Sequence, residues 1–134
     1  MASEIPVYSV RFEDGITEEL LLTPLGSGRY RLEQSALVDD SVNFGDVIAA
    51  EPAIDGAIRF VNVVQKSSYV TLRWVLSERA SESRGLPTFL ERVIEIGGVW
   101  ERAIGGVLIL HIPHGSAFDA DGEFARHIAF HSSV

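Results

Sequence analysis

Between Pro6 and Leu76 apolar and polar residues alternate with a period of two, in short stretches broken by turn-forming residues. The stretches are PVYSVRFE, EELLLTPL, GRYRLEQ, DVIAAEP, AIRFVNVVQ and YVTLRWVL, separated by EDG, GSG, DDSVNFG, IDG and KSS. A period of two places alternate side chains on opposite faces of a strand, so each stretch reads as a half-buried β-strand. In the first, Val7, Ser9 and Arg11 share one face and Tyr8, Val10 and Phe12 the other. Tight turns at short spacing require antiparallel, hairpin-connected strands, and so many short strands suit a strongly bent sheet or partial barrel.

At SERASESRGLP the alternation stops, and serines, charges, a glycine and a proline mark a connecting loop. PTFLERVIEIGG then has helical spacing, with Phe89, Leu90, Val93 and Ile94 as its apolar stripe. Thr88 and Glu91 have capping-box spacing, and Gly97-Gly98 supplies a left-handed stop. VWERAIGGVLILHI holds two apolar runs split by Gly105-Gly106, the pattern of a two-residue hairpin. Ser116 and Asp119 stand where a last capped helix would start, running to about Phe130, with Phe124, Ala125, Ile128 and Ala129 inward.

The expected fold is therefore α+β. An N-terminal antiparallel, barrel-like sheet (residues 1–68) is joined to a C-terminal β-α-β-β-α layer (69–134), a split β-α-β or ferredoxin-like order lacking its last strand. The two halves are expected to pack as one compact unit, with a strand of the first half able to fill that vacancy. Trp74 and Trp100, each in an apolar strand, are expected at the core or its edge.

The GSGRYRLEQ strand, the NFGDVIAAEP segment centred on Gly45, Asp46, Glu51 and Pro52, and the strand from Ser68 to Arg73 succeed one another in an order that resembles the bacterial family known as domain of unknown function 4265. The likeness runs from about Tyr8 to Ile112. It implies no activity and no catalytic residues.

Composition narrows the function. Cysteine is absent, which removes disulfides, thiolate ligands and cysteine nucleophiles together. Nineteen acids against 11 bases give a net charge of −8, and the excess runs through both halves. That field repels phosphate, so neither nucleic acid nor an anionic membrane is an expected partner, whereas a basic protein would be steered inward. No apolar run approaches the roughly 20 residues of a membrane span, and MASEIPVYS has no signal-peptide character, so a cytoplasmic location is expected.

All four histidines lie in HIPHGSAFDADGEFARHIAFHSSV. Glu123, His127 and His131 fall on one helical ridge at i, i+4 and i+8, and His111 or His114 could complete a metal site. Ile128 stands where a zinc-protease motif needs glutamate, and the same histidines suit the flanks and C-terminus of an amphipathic helix. DADGE lacks the calcium-loop spacing, and HGSAF lacks the second glycine of a nucleophile elbow. No cofactor is expected.

Asp39, Asp40, Asp46 and Glu51 surround the longest irregular stretch of the first half, Ser35 to Gly45. With no nucleophile motif nearby, these carboxylates favour partner binding over catalysis. The leading expectation is a small acidic protein that neutralises or regulates a basic protein partner, as an immunity protein or antitoxin does. The alternatives are a metal-dependent enzyme or metal-binding domain using the C-terminal histidines, and a small-molecule-binding module in a groove between sheet and helices.

Overall fold

In the computed structural model, which describes residues 4–129, the chain is α+β and divides into two units, Met1–Ser68 and Tyr69–Val134. The alternating stretches of the first unit form β1 (Val7–Arg11), β2 (Thr17–Gly26), β3 (Arg29–Leu32), β4 (Val47–Pro52) and β5 (Ile58–Gln65). They close into a barrel in the order β1-β2-β3-β4-β5. Sequential neighbours are antiparallel, but the closing pair, β1 with β5, is parallel through Val10↔Ile58 and Arg11↔Arg59. Period two specifies which face each strand buries and says nothing of how the ends of the sheet meet.

Register shifts between Pro24 and Gly26 and at two places along β4 bend the strands enough for closure. Val10, Phe12, Leu20, Leu22, Leu32, Ile48 and Ile58 fill the interior. Ala36 and Val42 of the β3–β4 connection are also fully buried there, so this long loop is part of the core.

The second unit opens with β6 (Tyr69–Val75), passes through α1 (Glu78–Ser81) and α2 (Gly85–Glu95), and continues as β7 (Val99–Ala103), β8 (Val107–Pro113) and α3 (Ala120–Phe124). Its sheet has the order β6-β8-β7 with both pairs antiparallel, and among the described residues no barrel strand joins it. The vacancy beside β6 is thus not filled from the first half, whose strands pair among themselves in closing the barrel. Leu108, Leu110 and Ile112 of β8 pack with Leu86, Phe89, Leu90 and Val93 of α2 and with Ile128. Trp74, Phe89 and Phe124 meet edge-on or stacked at centroid distances of 5.0 to 6.0 Å.

Several local expectations are corrected. The SERAS segment forms the single-turn α1, capped by Ser77, whose side chain accepts from Ala80 N. Helix α2 starts three residues before Thr88. Pro87 is tolerated in its first turn because an N–H there has no intrahelical acceptor. Ser83 Oγ instead accepts from Gly85 N at 3.1 Å. Ile94 is 54% exposed, and Leu86 takes its place in the buried stripe.

The last helix starts with Asp119, which accepts from Gly122 N, while Ser116 caps only the turn before it. Ala125–Ala129 then winds as a π-helix, whose wider turn leaves Ala125 exposed and Ile128 buried. Phe130 lies outside the described residues. Gly105 and Gly106 both have positive φ, as the hairpin requires. No helix among the described residues is long and apolar enough to cross a membrane.

Candidate functional site

The acids of the barrel unit separate into different roles. Asp46 is fully buried. It accepts from Asn43 N at 3.0 Å, Ser67 N at 2.7 Å and Lys66 Nζ at 2.9 Å, and so ties the β3–β4 loop to the end of β5. A carboxylate enclosed by three donors is not available to a partner, so Asp46 leaves the set of contacting acids. Glu51 is exposed on β4 and paired with Arg59 of β5. Asp40 is exposed at the loop tip.

Asp39 stands differently. Its Oδ1 accepts from both Ser41 N at 2.9 Å and Ser41 Oγ at 2.6 Å, which fixes the carboxylate on the loop. Beside it Glu18 of β2 spans Leu37 N and Val38 N with both carboxylate oxygens at 2.9 to 3.1 Å, pinning the segment that carries Val38 and Asp39. A cavity of about 300 Å³ results, lined by Phe12, Glu13, Asp14, Val38, Asp39 and Phe60. The rings of Phe12 and Phe60 are 5.4 Å apart. Asp14 Oδ1 accepts from Ile16 N and so shapes the β1–β2 turn, while Glu13 is exposed. Three carboxylates beside two aromatic rings give this small cavity a negative lining, which favours a cationic side chain.

Only Asp39 of this group was nameable from sequence. Glu13, Asp14, Phe12 and Phe60 reach it because the barrel brings the β1–β2 turn, the β3–β4 loop and β5 together. The one usable signal was EDG, read as a turn with no role assigned.

The candidate metal ligands do not converge in the described part of the chain. His111 is fully buried in the middle of β8, on the sheet face opposite Leu110 and Ile112. Its Nδ1 lies 2.9 Å from Thr71 Oγ1 and its Nε2 2.6 Å from Glu101 Oε2. His114 is exposed in the turn after β8. His127 Nε2 is 3.1 Å from Glu123 Oε2, the helical neighbour expected of it. Arg126 and Arg92 also bind Glu123, at 3.0 and 3.4 Å. Burial pushes the Glu123 carboxyl up, but the Arg92 hydrogen bond, the charges of Arg126 and Arg92, and the His127 contact outweigh it and hold its pKa below the ordinary value. His131 lies outside the described residues. Among the described residues no group of three or more histidines and carboxylates is placed to hold a metal ion.

A larger groove of about 730 Å³ lies in the second unit between α2 and β7. Leu86, Pro87, Leu90, Ile94 and Trp100 form its apolar surface, with Glu82, Glu91, Glu95 and Arg102 around them. Trp100, expected in or beside the core, is 37% exposed here. A groove between sheet and helices is expected from the element order, but spacing does not name its lining, because its walls come from three separate elements.

Among solved structures the fold is similar to that of a chain described as "Novel crystal structure of a hypothetical protein from Neisseria gonorrhoeae". The TM-score is 0.62 at 14% identity, over 92% of this chain and 88% of that one, a likeness of fold alone. No curated protein matches the chain. Residues 18–124, from β2 through α3, match the family described as "Domain of unknown function (DUF4265)", and the chain belongs to that family.

Proposed function

We propose that the protein is a small acidic binding protein of the bacterial cytoplasm that takes up a basic protein partner, regulating or neutralising it as an immunity protein or antitoxin does. The observation that carries this reading is the cavity at Asp39, where Glu13, Asp14 and Asp39 stand around the rings of Phe12 and Phe60. An arginine or lysine side chain of the partner enters it, held by the carboxylates. The net charge of −8 steers the encounter, and Asp40 and Glu51 extend the negative surface around the loop and β4. The second unit is a split β-α-β, ferredoxin-like layer in this reading. Its support is the strand order β6-β8-β7, in which the helical connection from β6 to β7 leaves β8 between them.

The test is an NMR titration of the isotopically labelled chain with hexa-arginine, with hexaglutamate as control. Saturable shifts at Asp14, Val38, Asp39 and Phe60, lost at high salt, are expected with hexa-arginine alone. Asp39→Asn combined with Glu13→Gln weakens that binding on the order of tenfold. Shifts that never saturate, or that survive the double substitution unchanged, overturn the reading.

A further inference from the structure

Strand β7 is an edge strand: among the described residues the only strand it pairs with is β8, so it stands at the end of the sheet order β6-β8-β7. An open edge is a template for another strand unless something blunts it. Here the edge runs beside the α2–β7 groove. Trp100 and Arg102 of β7 line it from the sheet side, and Leu86, Leu90 and Ile94 of α2 line it from above.

We propose that this edge and groove together dock an extended, basic-and-apolar segment of a partner protein, which adds to β7 as a fourth strand. The chemistry of the segment follows from the site. Pro87 and Ile94 of α2 and Trp100 of β7 are its exposed apolar residues, with the buried Leu86 and Leu90 beneath them. Alternate side chains of a strand repeat every ~6.7 Å on one face, so a segment with apolar residues at every second position presents them all to that surface. The exposed Trp100 ring is an anchor of the kind that dominates recognition, and main-chain bonds to the β7 edge supply register.

Charge selects the flanks. Glu82, Glu91 and Glu95 are all exposed around the groove, against Arg102 alone. Arg92 binds Glu95, and Glu82 and Glu91 have no ion-pair partner among the described residues. A segment with arginine or lysine between its apolar residues complements that rim. A second copy of this chain pairing β7 with β7 would bring two such rims together, and like charges at an interface oppose association.

The site is distinct from the Asp39 cavity and is read out separately. The probe is an acetylated hexapeptide alternating arginine with leucine, titrated into the Trp74→Phe protein so that Trp100 reports by fluorescence. A saturable change is expected. Glu91→Lys, at an exposed position that leaves the core untouched, weakens it on the order of tenfold. The same peptide with alternate amides N-methylated, which cannot complete a strand ladder, binds at least tenfold more weakly. Equal binding of a glutamate-leucine peptide, equal binding of the N-methylated peptide, or no saturation overturns the proposal. So does a dimer in sedimentation equilibrium that Trp100→Arg dissociates, because the occupant is then a second copy.

Discussion

Glu101 Oε2 lies 2.6 Å from Nε2 of the fully buried His111, although the two residues are on neighbouring strands and not in the same cross-strand pair. The contact is diagonal, since Val99 is the register partner of His111 and Glu101 that of Ile109. A carboxylate only accepts, so it faces a ring N–H at Nε2, and the Thr71 hydroxyl donates to Nδ1. The three side chains thus cross-link all three strands of the sheet. Replacing Thr71 by valine leaves a buried ring nitrogen without that donor and is expected to cost ~1–3 kcal/mol. His111→Ala adds a cavity and is expected to cost ~2–5 kcal/mol. Urea unfolding followed by far-UV circular dichroism measures both, and a His111→Ala loss smaller than that of Thr71→Val contradicts the account.

Asp46 makes the matching prediction for the barrel. Asp46→Ala takes the buried carboxylate from the Asn43 and Ser67 backbone N–H groups, while Lys66 keeps Ser41 O and solvent, at an expected cost of ~3–5 kcal/mol. Lys66→Ala, which removes a side chain 60% exposed, is expected to cost under ~1 kcal/mol. The decisive comparison is the unfolding midpoint of the two variants under one set of conditions. Similar losses would mean that the ion pair, not the backbone bonds, is what Asp46 provides.

The contrast between these sites shows what the sequence made legible. Period-two alternation located all six early strands, and Gly105-Gly106 located the β7–β8 hairpin, because both signals are local. Parallel closure of β1 on β5 and the meeting of Glu13 with Asp39 depend on contacts far apart in the chain, which no spacing encodes. Asp46 looks like a surface acid in the sequence because a carboxylate beside a loop has the same signature whether it faces solvent or three donors.

Capping is where local rules met a competing one. Thr88 with Glu91 satisfies the capping-box spacing, yet burial of Gly85 and Leu86 draws the start of α2 upstream, leaving Thr88 exposed in the helix. Thr88→Ala is therefore expected to change stability by less than ~0.5 kcal/mol. Ser77→Ala and Asp119→Ala, which remove observed caps, are each expected to cost ~1 kcal/mol. Thermal or urea unfolding of the three variants ranks them, and a Thr88 variant as damaged as the other two would restore the later helix start.

The pH dependence of the C-terminal helix follows from Glu123. Its carboxyl is held below its ordinary pKa of 4.5, so the folded state binds that proton less readily than the unfolded chain does. A depressed carboxyl contributes stability that is fully present above its unfolded pKa and is lost as the pH falls through its folded one. The Arg92 and Arg126 contacts join α2 and the π-helical segment to this group, so that loss falls on the packing of residues 120–128. Amide hydrogen exchange over this segment is expected to accelerate as the pH is lowered from about 4.5, after correction for intrinsic rates. Glu123→Gln removes this acid-dependent component and leaves the segment less protected at neutral pH. An acid response that persists unchanged in Glu123→Gln would place the titrating group elsewhere.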